Sequence, residues 1–232
     1  MNERRWERLG AEAGIAFVVL GVIATFAPGS QPDQDASGRQ LVTYIADHHD
    51  GLMWSMVLWS LATVCGLFFL AALRSRMARA EGGHNEMATA VVIGGTFAFL
   101  ANWIGGMVVA SVSYRESIGV APATVRAMWD VGNLGAIVAN IGGVVFAGSV
   151  AAVVLGTGLL PRWVGWFAAA VSVGSVASLF GPLSSTGALA PGGGYQIVMM
   201  MAGLVLVGAV AVECLMHAEA PASAPSAAPM TV

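Results

Sequence analysis

Apolar runs at about residues 10–27, 51–73, 87–112, 131–155, 163–183 and 195–216 alternate with short polar segments. Each run is close to or longer than the roughly 20 residues an α-helix needs to cross a bilayer. The pattern predicts an all-α polytopic membrane protein, a six-transmembrane-helix bundle in one domain over 1–217, with a short amphipathic outer helix between spans one and two. Residues 218–232 are rich in Ala, Pro and Ser and read as a disordered tail. Pro28 and Gly29 stop the first span, and Ser37 followed three residues later by Gln40 fits a capping box. Leu41, Tyr44 and Ile45 would then form the apolar face of a helix lying at the membrane surface. A second short surface helix is expected over 121–128, with Pro122 in its first turn.

The fourth span, Trp129 to Leu155, organises this picture. Gly135, Ala139, Gly143, Ala147 and Ala151 recur every fourth position, which makes a ridge where a neighbouring backbone can come close. Beside it runs a second row, Gly132, Ala136, Asn140, Val144, Gly148 and Ala152. The same span carries Asp130, Asn133 and Asn140, which lipid does not solvate, so it is expected at the centre of the bundle.

Composition agrees with the pattern: 57% of residues are hydrophobic and 10% charged, against about 25% charged in a soluble domain. A formal net charge of −3 gives no reason to expect a nucleic-acid partner. Cys65 and Cys214 fall on different spans, so no disulfide framework or Cys-x-x-Cys metal site is expected. All basic residues are arginine, and they set the orientation. Arg4, Arg5, Arg8, Arg74, Arg76, Arg79 and Arg162 fall on one side, and only Arg39, Arg115 and Arg126 on the other. Both termini are therefore predicted to be cytoplasmic, in a multi-pass protein of the cell's plasma membrane. The charged start before the first span is similar to a signal peptide, but Pro28 disfavours cleavage after Ala27, and a retained anchor is expected.

The interface motif Leu160-Pro161-Arg162-Trp163-Val164-Gly165-Trp166, together with six spans and a longer first outer segment, resembles a family of uncharacterised bacterial six-helix integral membrane proteins, the domain of unknown function 4386 type. The resemblance implies the topology and brings no catalytic or ligand residues. Spans one and five also share an outline ending in Phe-x-Pro, which one helix alone does not make into a repeat.

Two groups of residues could carry chemistry. Asp47, His48, His49 and Asp50 are the one dense set of candidate metal ligands, although consecutive residues on a helix end point around most of its circumference. A solvated helix terminus is the plainer reading. Asn102 and Asn140 are the better pair. If spans three and four are adjacent and antiparallel, these residues lie about 15 and 14 Å below the outer surface at 1.5 Å per residue. Asn133, Asp130 and Arg126 continue outward from Asn140, and Gly94, Ala98, Gly105 and Gly106 would let the helices approach. The stripe is either interhelical hydrogen bonding or the polar wall of a ligand cavity. Glu12 and Glu213 could act as a proton-carrying pair or, more plainly, in local ion pairs. Met199, Met200 and Met201 point in three directions and read as packing.

No nucleophile triad, phosphate loop or haem ligand pair is evident, and no cofactor is expected. The readings left open are a membrane protein that binds or moves a small solute or lipid beside span four, a structural or assembly partner without a ligand, and an outward-facing metal-dependent enzyme using His48 or His49. Small-residue ridges serve association between chains as well as within one, so a homo-oligomer stays open too. Reporter fusions test the topology: the loop from Ser184 to Gly194 should report an external location and the Arg74–Glu86 segment a cytoplasmic one, and the reverse assignment would overturn it.

Overall fold

The computed structural model describes residues 3–83, 85–114 and 119–219. Of the expected tail, residues 218 and 219 are helical and close α7, and the rest, with Arg115 and Glu116 at the expected end of span three, lies outside the described residues. The chain is all-helical: α1 (Glu3–Phe26), α2 (Gly38–Asp47), α3 (His49–Ala80), α4 (Glu86–Ser113), α5 (Pro122–Thr157), α6 (Arg162–Ser178), a 3-10 turn (Gly181–Leu183) and α7 (Gly194–Glu219). Among the described residues, six helical segments are long and apolar enough to cross a membrane, the fifth being α6 together with the 3-10 turn that follows it (Arg162–Leu183), which makes the fold that of a multi-pass membrane protein. The six long helices form a ring in which α1 packs on α3, α3 on α4, α4 on α5, α5 on α6, α6 on α7, and α7 back on α1.

Helix α2 starts where the capping box places it. The Ser37 backbone N–H donates to Gln40 Oε1 at 2.7 Å and the Gln40 N–H to Ser37 Oγ at 3.4 Å, which satisfies two donors a helix start leaves free. Its apolar face, however, is turned onto protein and not onto lipid. Leu41, Tyr44 and Ile45 are buried with Leu52 of α3, Val112 of α4 and Val125 of α5. The helix is thus a cap on one end of the ring, and that end is called the α2 face below. The opposite end carries the arginines: Glu7 pairs with Arg79, Arg8 with Glu12 at 2.9 Å, and Arg76 Nη1 donates to the Cys214 carbonyl at 3.0 Å.

The expected surface helix over 121–128 is the first two turns of α5, one continuous helix of 36 residues and about 54 Å. Pro122 occupies its first turn, nothing after it breaks the helix, and Arg126 closes a two-pronged pair onto Asp130 one turn later at 3.0 and 3.1 Å. Arg126 also donates to the Ala36 carbonyl at 2.8 Å, tying the start of α2 to α5. At the other extreme, the α-helical part of the fifth span, α6, has only 17 residues, about 25 Å, and a tight turn and the 3-10 turn carry the span on to Leu183.

Helices α4 and α5 are antiparallel neighbours whose backbones meet. A Cβ on Gly105 would lie 2.8 Å from the Gly132 carbonyl oxygen, one on Gly135 2.8 Å from Gly105 Cα, and one on Gly94 2.6 Å from the Phe146 nitrogen. Gly142 is closer still to Gly94 and Ala98. The expected four-residue ridge is therefore divided. Gly132, Gly135 and Gly142 serve α4, whereas Gly143 and Gly148 lie beside Ser175 and Ser172 of α6. Nor is α5 central: Val131, Leu134, Val138, Ile141 and Val145 form an exposed apolar stripe, so it is one stave of the ring with a side for lipid.

The ring is solid at one end and hollow at the other. Its largest fully buried side chains include Phe69, Leu70, Met77, Val91, Val150, Val154, Val164, Leu206 and Val210, all toward the arginine end. Toward the α2 face the same helices present glycine, alanine and amide side chains. Overpacking of the seam tests the arrangement: Gly142→Leu should lower detergent stability by about 1–3 kcal/mol or more, whereas Gly203→Leu, whose added Cβ meets nothing within 4 Å, should melt close to the parent protein.

Candidate functional site: an amide-lined cavity under the α2 cap

Asn102 follows Ala101 on α4, and Ala98, Ala101 and Gly105 make the face that meets α5. A one-residue step on a helix is about 100°, so Asn102 turns from that seam into the ring. Asn133 does the same from α5, next to Gly132. Between them the ring holds two adjoining, half-open chambers of about 240 and 200 Å³. Trp59, Asn102, Asn133, Met200 and Gln31 line both, so they stand at the junction.

The larger chamber runs toward mid-membrane. Its deep end is apolar, with Phe17, Phe99, Phe146, Val171, Leu206 and Val207; Phe17 and Phe99 stack at 4.5 Å between ring centroids and Phe17 meets Trp59 edge-on at 6.4 Å. The smaller chamber lies under α2, between Tyr44, Leu52 and Met56 on one side and Trp103, Gly106 and Trp129 on the other. Tyr44 holds its roof: the phenol donates to the Pro28 carbonyl at 3.2 Å, and the ring stacks on His48 and meets Trp129 edge-on. Burial pushes the Tyr44 phenol above its ordinary pKa and keeps it a neutral donor. Among the described residues, no Asp, Glu, Lys, Arg or His lines either chamber.

Asn140 lines the larger chamber with Asn102 but does not pair with it. It sits on the side of α5 that faces α6 and α7, and its amide donates to Ser178 Oγ at 3.0 Å, to Gln196 Oε1 at 3.3 Å and to the Ala136 carbonyl at 3.0 Å. Gln196 Nε2 in turn donates to Ser178 Oγ at 2.9 Å. Three helices are tied at one level by this cluster, in which Ser178 and Gln196 are buried. Neither partner stood out in the sequence, because each lies at a helix end where a polar residue needs no explanation. The pointer to them is the shortness of α6, which brings its last residue down to the level of Asn140.

Asn102 and Asn133, by contrast, have no side-chain hydrogen bond to any described residue. Among the described residues no side-chain nitrogen or oxygen is both sealed from solvent and unpartnered. The free amides must therefore face open space, and the space both residues line is the cavity. The segment 179–193 closes in beside them: Gly192, at φ +78°, sits so near Asn133 that a Cβ there would be 2.9 Å from its amide nitrogen. Such irregular backbone is tolerated in a membrane only against protein or a polar cavity.

Asp130 lies outside the lining of both chambers and is held by Arg126. Asp47, His48, His49 and Asp50 occupy the joint between α2 and α3. His48 Nδ1 is 3.0 Å from the Tyr44 carbonyl and its ring is stacked, while His49 faces the exposed Asp50 at 3.2 Å. Among the described residues, no three His, Cys, Asp or Glu side chains are placed to share a metal ion. Glu12 pairs with Arg8, and Glu213 is buried on α7. Both cysteines are free.

Comparison of the chain with protein-family models, with curated proteins and with solved structures finds no match. Function must therefore be read from the cavity. The amide cluster beside it has its own test: in a double-mutant cycle, Asn140→Leu and Ser178→Ala should couple by about 0.6–2 kcal/mol in detergent unfolding, whereas additive effects would mean that the cluster contributes no joint stability.

Proposed function

We propose that this is a plasma-membrane protein, both termini in the cytoplasm, that binds or moves a small solute or lipid in the cavity beside α5, with the α2 cap on the outer side. One observation carries the reading: Asn102 and Asn133 present unpartnered amides to a chamber junction that contains no charged side chain. A polar group at membrane depth is costly unless it finds a partner, and the partner missing from the protein is supplied by whatever occupies the cavity. Apolar walls with a few convergent polar groups are the usual make-up of small-molecule sites. The arginine distribution supports the orientation, and the Leu160–Trp166 motif supports a relation to the six-helix family it resembles.

The competing reading, a structural partner without a ligand, differs in what the asparagines do. Asn102→Leu and Asn133→Leu remove no protein–protein hydrogen bond, so the purified variants should melt like the parent once stripped of bound small molecules. The unstripped parent should carry an extractable small molecule detected by mass spectrometry, and each variant should retain roughly tenfold less, as for about 1.4 kcal/mol of lost binding. A parent protein with nothing to extract and variants that lose stability on their own would favour the structural role.

A further inference from the structure

Resting on that ligand-binding role, we infer that the ligand is an uncharged, bilayer-dissolved molecule with a hydroxyl or carbonyl head, and that it enters sideways between α3 and α4 through a portal framed by Met56 and Gly106. The walls decide the charge. An ionised group brought to this depth would need a counter-charge, and neither chamber has one. Asn102 and Asn133 offer amide donors and acceptors at the junction, suited to a neutral oxygen head, and the chamber below them becomes apolar and aromatic, suited to the body behind it.

The route follows from how α3 and α4 part. In the arginine-side half the two helices are in tight contact: a Cβ on Gly95 would lie 2.6 Å from Leu70 and one on Gly66 2.6 Å from Phe99. Toward the α2 face the pair is bonded by Trp103 Nε1–H to Ser60 Oγ, at 2.9 Å. One turn beyond, a Cβ on Gly106 would meet only the Met56 sulfur, at 3.9 Å. Gly106 lines the smaller chamber and is exposed, so no side chain of its own closes the wall there. On the α2 face, Gln34 of the α1–α2 loop lies against Gly193, and α2 packs over the smaller chamber through Tyr44.

Photolabelling of the full chain in phosphatidylcholine vesicles tests this with two probes, a long-chain alcohol bearing a diazirine and a membrane-impermeant polyol bearing the same group. The alcohol should label Trp59 and Asn102 in the parent protein. Gly106→Trp and Met56→Trp, which narrow the portal from opposite sides, should each slow the initial labelling rate roughly tenfold while the final extent is kept. Labelling of Ile93 on the lipid-facing surface reports intact folding and should not change. Unchanged rates in both variants, loss of extent along with rate, or labelling of Asn102 by the polyol as fast as by the alcohol would each overturn lateral entry while leaving the ligand site standing. Failure of both probes to reach Asn102 in the parent protein would overturn the ligand site itself, and lateral entry with it.

Discussion

The contact on which the rest of the structure depends is the backbone seam between α4 and α5. Gly94, Ala98 and Gly105 on one helix and Gly132, Gly135 and Gly142 on the other let carbonyl and Cα atoms touch where other helix pairs meet through side chains. In lipid there is little hydrophobic gain from bringing helices together, so close packing of this kind is what holds them. A seam with no side chains of its own also fixes the rotation of both helices. With Ala98, Ala101 and Gly105 committed to α5, Asn102 has to turn inward, and with Gly132 committed to α4, so does Asn133.

That rotation produces the contrast between the two ends of the ring. Toward the arginines the interior is filled by Phe69, Leu70, Met77, Val150, Val154 and Leu206. Toward the α2 face the inward positions are taken by small and amide residues, and they leave chambers of about 240 and 200 Å³. Helix α2 converts the open end into a roofed one by burying Leu41, Tyr44 and Ile45 on the bundle, and the Arg126 bonds to Asp130 and Ala36 fasten it at its start. The polar residues thus divide by task. Asn140, Ser178 and Gln196 satisfy one another and bind three helices together, whereas Asn102 and Asn133 are left available.

The parts of this structure that depend on local order were legible in the chain. Six apolar runs gave six spanning helices, and Ser37 with Gln40 located the start of α2, because hydropathy and capping act within one segment. The antiparallel pairing of α4 with α5, only a supposition from the sequence, holds in the structure, with the glycines of both helices at the seam. What was not legible depends on helix rotation and length. A four-residue count along α5 placed Gly135 and Gly143 on one ridge, yet a straight helix drifts across such a row, and the first faces α4 while the second faces α6. Asn140 and Asn102 both line the larger chamber, but Asn140 bonds toward α6 and α7 while Asn102 bonds no described side chain. The partners of Asn140 were hidden because α6 stops a turn or more short of its apolar run, at Ser178.

A high-resolution structure of the protein in lipid nanodiscs is the measurement that bears most directly on the central claim, that Asn102 and Asn133 are partnered by something other than the protein. Ordered non-protein density within hydrogen-bond distance of both amides, with the chambers open beneath an intact α2 cap, is the predicted result. A collapsed interior in which the two asparagines bond to protein groups and side chains fill the junction would contradict it.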